Sequence, residues 1–246
     1  MANIIKLGSL YLDNQPVQVG QWYDPECEIL IGDTNAGQEI SWVIVDRTMI
    51  ADRCILTHVS WDDLNGAGLI FGKRILIDGF PYTITVPNSN LNGNGGEIDE
   101  WQSAMAIVED ESDSLWHWRG IYSWGKESKD LEQVYRVVRG YYAGYGWGYR
   151  EASNRREDLG FRPMLLPEFS EFAPDIPPCS EMFLWIGESV IHGRLFELTK
   201  YDLVLAEMPG TNIAKSDIGQ LVKSLPDGRL IVDRNSISTV QLKATK

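Results

Sequence analysis

The chain has 246 residues, of which 43% are hydrophobic, and this length suits one large domain or one domain plus a small one. The formal net charge is −13, which argues against general binding to nucleic acids or anionic membranes, since both need clustered Lys and Arg. With 23 glycines, 11 prolines, nine tryptophans and ten tyrosines, the composition favours a loop-rich or β-rich fold over a helical bundle.

The first part of the chain predicts short strands and one short helix. Residues 1–60 predict short strands: the stretch Leu10–Trp22 alternates weakly between apolar and polar side chains, and Glu39–Arg47 is typical of a buried strand. A short helix is predicted after Ser60, which can cap it together with Asp63 three residues on.

A hairpin and an amphipathic helix come next. Two alternating runs within Lys73–Pro87 flank Asp78-Gly79, a strong two-residue hairpin signal. After a polar loop over Asn88–Gly96, the segment Glu97–Asp110 predicts a helix with one apolar face, formed by Ile98, Trp101, Met105 and Val108. The acidic run Glu109–Asp113 is typical of solvated surface.

The C-terminal part predicts a separate small β unit. Residues 168–180 are rich in proline and lack periodicity, as expected of a linker. Beyond them, residues 181–246 show strand patterns and a hairpin turn at Pro226-Asp227-Gly228.

The most unusual stretch of the chain is Tyr141–Tyr149, where five aromatic residues alternate with three glycines and one alanine. Tyrosine and tryptophan give large contact areas with few rotatable bonds, and antibody paratopes and binding hot spots use this chemistry. Core packing under loops is the alternative for the same rings.

The segment Arg136–Arg162 also holds six arginines, which we expect to pair with acidic neighbours inside the fold.

Four motifs in this order resemble a known family. They are Glu100-Trp101, the tryptophan segment Trp118–Trp124, the strand Arg136-Val137-Val138-Arg139-Gly140, and the closing Gly160-Phe161-Arg162. Over about residues 73–166 the chain resembles the C-type lectin-like fold of formylglycine-generating enzymes and of diversity-generating-retroelement variable proteins. The resemblance implies an α+β fold. Its predicted parts are an N-terminal β-rich extension (1–72), the C-type lectin-like domain (73–167), a Pro-rich linker (168–180) and a small β domain (181–246).

The resemblance also indicates where a ligand would bind. In the variable proteins, the residues between the Arg-Gly and Gly-Phe-Arg motifs form a solvent-facing ligand surface. Carried over to this chain, the predicted ligand-binding residues are Tyr141, Tyr142, Tyr145, Trp147, Tyr149, Arg150, Ser153, Asn154 and Arg155. The enzyme branch uses a cysteine pair, whereas this chain has no cysteine between Cys54 and Cys179, so that oxidase activity is not expected.

These observations predict a non-enzymatic recognition protein, of phage or prophage origin, that binds a protein or glycan. One alternative is an acidic inhibitor that blocks a basic site on a host protein. The other is an enzyme on a formylglycine-generating-type scaffold that works without the cysteine pair. No nucleic-acid partner and no membrane insertion are expected. Whether the chain forms a homo-oligomer is left open.

Cofactors and location complete the prediction. The three histidines, His58, His117 and His192, are too dispersed for a zinc signature, and no catalytic residue is predicted. No cofactor is expected, with calcium held by Asp62-Asp63 or Asp99-Glu100 as the alternative. The three cysteines form no disulfide pattern and no signal peptide is visible, so we expect synthesis in the cytoplasm, with incorporation into a virion left open.

Overall fold

The computed structural model describes residues 2–89, 99–129, 134–169, 176–177, 179–187, 189–214 and 218–243. The protein is mostly β, with 48% strand, 10% helix and only three short α-helices among the described residues. The predicted α+β C-type lectin-like fold is therefore wrong. The amphipathic segment 97–110 suggested a larger helical part, but its described helix has only 9 residues and the rest of the chain builds curled sheets.

Fourteen strands precede residue 168 in the described part of the chain. They are β1 (Ile4–Leu12), β2 (Gln15–Val17), β3 (Gln21–Trp22), β4 (Ile29–Gly32), β5 (Glu39–Val45), β6 (Thr48–Ala51), β7 (Leu56–Thr57), β8 (Lys73–Ile77), β9 (Phe80–Thr85), β10 (Tyr122–Ser128), β11 (Tyr135–Gly140), β12 (Trp147–Glu151), β13 (Leu159–Phe161) and β14 (Met164–Pro167). They form an eight-stranded sheet, in the order β2-β1-β5-β6-β14-β9-β8 with β4 also paired to β1, and a six-stranded sheet, in the order β12-β11-β10-β13-β7-β3.

Three α-helices accompany these strands: α1 (Trp61–Gly66), α2 (Glu100–Val108) and α3 (Asp113–Trp116). The predicted cap of α1 is confirmed, because Ser60 and Asp63 form a complete capping box. Helix α2 is capped by the Asp99 side chain, which accepts from the Gln102 N–H, and it buries Trp101 and Met105 as predicted. Ile98 lies outside the described residues. None of the described helices has the length and apolar character needed to cross a bilayer.

The last described strands form a second six-stranded sheet, in the order β18-β19-β17-β16-β15-β20. These strands are β15 (Glu181–Ile186), β16 (Ser189–Leu198), β17 (Asp202–Glu207), β18 (Val222–Ser224), β19 (Arg229–Asp233) and β20 (Thr239–Leu242), with a 3-10 helix at Arg234–Ser236. The predicted Pro-Asp-Gly hairpin is confirmed. Gly228 takes a φ of +82°, and its N–H bonds to the Leu225 carbonyl.

The chain divides into two compact units. The first contains residues 1–45, 49–78 and 83–165, and the second contains residues 46–48, 79–82 and 166–246. The predicted four-part division with boundaries at 72, 167 and 180 stays a prediction. The first unit has a tryptophan-rich core with Trp42, Trp101, Trp116 and Trp124 almost completely buried.

Candidate functional site

The candidate site centres on the aromatic loop, residues 141–146, which joins β11 to β12. Its flanking and internal glycines are required by close packing. A Cβ on Gly140 would lie 2.9 Å from the Ile121 carbonyl oxygen, and one on Gly144 would lie 2.8 Å from Met105 Sδ. A Cβ on Gly146 would approach the Gly140 carbonyl oxygen to 2.7 Å. Glycine here therefore allows the loop to lie tightly against the body of the unit.

Hydrogen bonds fix the backbone of this loop. The buried indole of Trp101 donates from Nε1 to the Gly144 carbonyl at 2.7 Å. The Gly140 N–H donates to the Gly146 carbonyl at 2.9 Å, and the Tyr141 N–H donates to the Trp118 carbonyl at 2.9 Å. Tyr141 itself takes a φ of +74°, which is rare for a bulky residue. The loop is thus held at both ends and in its middle.

Three large aromatic side chains project from this fixed backbone into solvent. The exposed fractions are 81% for Tyr142, 58% for Tyr145 and 54% for Trp147. We call these three residues the aromatic surface. The alternative of core packing, considered from the sequence, does not apply to them.

The other predicted aromatic residues are partly packed. Tyr141 is half-buried and stacks on Tyr122 with ring centroids 4.7 Å apart. Tyr149 is half-buried on strand β12, where it packs edge-on against Trp147 at 5.6 Å and lies under the Lys129 ammonium at 5.3 Å. Tyr141 packs against Tyr142, and Tyr149 packs against Trp147. These two half-buried rings therefore contact the aromatic surface but add less exposed area to it.

Among the predicted polar ligand residues, both arginine side chains contact other groups of the protein. The Arg150 guanidinium lies 4.6 Å from the centre of the Tyr122 ring. Arg155 forms a two-point ion pair with Asp63, with N–O distances of 2.8 and 2.6 Å. The Asn154 N–H bonds to the Glu151 carbonyl, and Ser153 is exposed just beyond β12. Arg155 therefore fixes the loop after β12 to helix α1.

The predicted pairing of the arginines with acidic neighbours is confirmed for several of them. Arg139, Arg155 and Arg156 pair with Asp99, Asp63 and Asp158. Burial lowers the pKa of Arg139 to about 10, so its guanidinium is still charged at neutral pH. Arg162 is buried and donates to the Ala51 and Asp52 carbonyls.

A cleft of about 660 Å³ lies beside the aromatic loop, and sequence reasoning missed it. We call it the Trp22 cleft; it is lined by Trp22, Gly120, Tyr141, Arg156, Glu157 and Asp158. Trp22 is 58% exposed and stacks on the His58 ring with centroids 5.2 Å apart. The two-residue strand β3 is too short to show periodicity. Trp22 and Tyr141 line the same cleft although they are far apart in sequence, so no local pattern signals it.

A second, smaller pocket of about 370 Å³ lies at Tyr145. Its lining combines apolar groups of Met105 and Ala106 with acidic residues at the end of α2. The complete set is Gln102, Met105, Ala106, Glu109, Asp110, Glu111 and Tyr145. The acidic run that the sequence predicts as solvated surface thus borders a concave surface beside the aromatic loop.

Three of the carboxylates considered for calcium, Asp63, Asp99 and Glu100, are bonded to other protein groups. Asp63 pairs with Arg155, Asp99 caps α2 and pairs with Arg139, and Glu100 accepts from the Asn88 N–H at 2.7 Å. In the part of the chain that the structure describes, no three His, Cys, Asp or Glu side chains converge as metal ligands would. The calcium alternative stays a prediction.

The cysteines carry no disulfide. Cys54 is buried, Cys27 is half-buried and Cys179 is exposed. Burial raises the pKa of the Cys54 thiol to about 11, although nearby Arg162 acts in the opposite direction. Cys54 therefore stays a protonated thiol at neutral pH, which is the less nucleophilic form.

Comparison with known proteins gives no relative: no family model matches the chain, and no curated protein or solved structure matches it either.

Proposed function

We propose that this chain is a non-enzymatic recognition protein that binds a protein or glycan ligand through the aromatic surface of Tyr142, Tyr145 and Trp147. The observation that carries the proposal is the exposure of these three large rings, at 81%, 58% and 54%, on a backbone fixed by buried hydrogen bonds. Exposed apolar groups clustered on one segment mark interaction sites more often than scattered single residues do.

The chemistry of the three rings suits binding. Tyrosine and tryptophan present apolar faces and a polar group, and they lose little rotamer freedom when a ligand immobilises them. The loop backbone is already ordered by the Trp101–Gly144 and Gly140–Gly146 hydrogen bonds, so ligand binding does not have to order it. Preorganisation of this kind raises affinity because less conformational entropy is lost.

The test is ligand capture by the wild-type chain and by a Tyr142→Ala/Tyr145→Ala/Trp147→Ala variant. Host-cell lysates and a glycan array provide the ligands, and circular dichroism checks the fold. Tyr201→Ala is the matched control, because Tyr201 is 65% exposed but belongs to the second unit. We expect the triple variant to stay folded and to lose affinity by about 100-fold or more, since three exposed aromatic side chains are removed.

The control variant should bind like the wild type. Equal binding by a folded triple variant would contradict the proposal and would place the ligand site elsewhere on the chain.

A second candidate function is an acidic protein that blocks a basic site on a partner. The pocket at Tyr145 favours it, because Met105 and the tyrosine ring can pack against the aliphatic part of a Lys or Arg side chain. The carboxylates of Glu109 and Glu111 lie at the same pocket and would attract its cation. The net charge of −13 is consistent with this partner.

The two functions differ in their response to salt. A complex held by Glu109 and Glu111 should weaken steeply between low and high ionic strength, and a Glu109→Gln/Glu111→Gln variant should lose most of that salt dependence. The affinity of a complex held by the aromatic surface should change little with ionic strength or in the glutamine variant.

A further inference from the structure

We propose that the Trp22 cleft is a binding subsite for a neutral saccharide. This inference rests on the proposed recognition function and names the ligand class for one part of the site. The cleft shares the aromatic loop with the aromatic surface, because Tyr141 lines the cleft and the adjacent Tyr142 projects into solvent. The Tyr142 ring packs against the Tyr141 ring at 4.5 Å, so a ligand in the cleft would lie close to one ring of the aromatic surface.

Two aromatic rings of the cleft, Trp22 and Tyr141, each stack on a neighbouring ring of the protein. The indole of Trp22 lies parallel to the His58 ring, with an angle of 7° between the planes, and is still 58% exposed. The Tyr141 ring lies at 18° to the Tyr122 ring, and Tyr142 packs edge-on against it at 4.5 Å. Rigid rings at a cleft wall offer flat apolar faces, and the C–H face of a pyranose ring is complementary to such a face.

The backbone at Tyr141 is in a conformation that the surrounding structure has to enforce. Its φ of +74° is rare for a bulky residue, and its N–H and carbonyl are both bonded, to Trp118 and Gly120. Strained backbone of this kind concentrates at functional sites, where it positions a side chain. Here the enforced conformation places the ring at the cleft.

Hydroxyl-binding groups line the rest of the cleft. Arg156 and Asp158 form a planar two-point pair with N–O distances of 2.7 and 3.0 Å. The remaining N–H groups of this guanidinium can donate to sugar hydroxyls, and the carboxylates of Asp158 and Glu157 can accept from them. Gly120, at φ +76°, has open space where a Cβ would stand, so a ligand can approach its backbone closely.

The charge of the lining selects against anionic ligands. Two carboxylates face one guanidinium, and that guanidinium is already paired with Asp158. Phosphate, sulfate or a sialic acid carboxylate would meet repulsion here, whereas a neutral sugar brings no charge to be desolvated. The volume of about 660 Å³ lies within the range of small-ligand sites, about 300–1,000 Å³.

The test is binding of the full chain to an array that carries neutral oligosaccharides of hexose and N-acetylhexosamine beside sialylated and sulfated ones. The best neutral binder is then titrated by calorimetry into the wild type, Trp22→Ala and Glu157→Gln. Phe71→Ala is the matched control, because Phe71 is an aromatic residue of the same unit with 66% exposure and does not line the cleft. Circular dichroism confirms folding of each variant.

We expect a neutral oligosaccharide to bind, Trp22→Ala to lower its affinity about tenfold or more, and Phe71→Ala to leave it unchanged. Glu157→Gln keeps a hydrogen-bonding group of the same shape but removes the charge, so anionic glycans should bind this variant better than the wild type.

Three outcomes would overturn the inference. They are absence of neutral saccharide binding, preference for anionic glycans by the wild type, and equal binding by a folded Trp22→Ala variant. If a protein from the lysate binds through Tyr142, Tyr145 and Trp147 while no saccharide binds, the saccharide inference fails and the proposed recognition function stands.

Discussion

The buried indole of Trp101 donates a 2.7 Å hydrogen bond to the carbonyl oxygen of Gly144, and this bond ties helix α2 to the aromatic loop. Trp101 is 1% exposed and packs edge-on against Trp116, so the donor is fixed by the core of the first unit. The exposed rings of Tyr142 and Tyr145 flank the accepting residue in sequence. A core side chain thus holds the backbone of the aromatic loop in place.

A Trp101→Phe substitution should test this coupling. Phenylalanine keeps most of the apolar volume but leaves the Gly144 carbonyl without its indole donor. We expect a loss of about 1–3 kcal/mol in the free energy of unfolding. Hydrogen exchange measured by mass spectrometry should also accelerate in residues 141–146. Unchanged exchange in this segment would show that other contacts hold the loop.

Two glycines in the strands on either side of the aromatic loop should differ in their tolerance of a side chain. Gly140 has a φ of +99°, and its Cβ would clash with the Ile121 carbonyl, so Gly140→Ala should cost roughly 1–3 kcal/mol of stability. Gly148 is the matched control, since the nearest atom to its added Cβ is 3.7 Å away. Gly148→Ala should change the free energy of unfolding by less than about 0.5 kcal/mol. Urea denaturation measures the free energy of unfolding of both variants. Equal losses in Gly140→Ala and Gly148→Ala would refute the close-packing explanation.

The Asp63–Arg155 pair should give a pH-dependent contribution to stability. Burial alone would raise the pKa of Asp63, but hydrogen bonds from Arg155 and Ser60 outweigh it and hold the pKa below the usual 3.8. Because the folded pKa is depressed, this contribution is fully present above the unfolded-state pKa and is lost as the pH falls through the folded-state value.

An Asp63→Asn variant makes that prediction measurable. At neutral pH it should be less stable than the wild type by about 0.5–1 kcal/mol, because the charge of Asp63 pairs with Arg155 and lies in the first turn of α1. The difference in the free energy of unfolding between the two proteins should shrink when urea denaturation is repeated at pH values below 3.8. A difference that stays constant down to the lowest pH would show that the charge of Asp63 does not contribute.

The three cysteines should differ sharply in reactivity. Cys179 is exposed, whereas Cys54 is buried and its pKa is raised to about 11. A chromogenic disulfide reagent at neutral pH should therefore label Cys179 readily and Cys54 only after denaturation, as read by peptide mass spectrometry. Rapid labelling of Cys54 in the folded chain would reopen a thiol-based enzymatic role for this residue.

Local signals in the sequence predicted the local structure well. The Ser60–Asp63 capping box, the Asp78-Gly79 hairpin and the Pro226-Asp227-Gly228 hairpin are all present, because each depends on a few neighbouring residues with special backbone preferences. The order of short motifs, by contrast, did not identify the fold. The arrangement of sheets depends on pairings such as β13 with β7, which join residues about a hundred positions apart.

The candidate site was predicted only in part. The composition of Tyr141–Tyr149 indicated a binding surface, but it did not show which rings point outward, since Tyr141 and Tyr149 lie in the same run and are half-buried. The sequence also did not show that the glycines allow the loop to pack closely against the first unit. Trp22 was missed because its neighbours in the cleft come from distant segments of the chain.

Hydroxyl-radical footprinting of the chain with its captured ligand tests the central claim most directly. Tyr142, Tyr145 and Trp147 are exposed and should be oxidised rapidly in the free protein. The proposed function predicts that ligand binding protects all three rings, while Tyr201, which is 65% exposed in the second unit, is oxidised at the same rate with or without ligand. Unchanged oxidation of Tyr142, Tyr145 and Trp147 in a saturated complex would contradict the account.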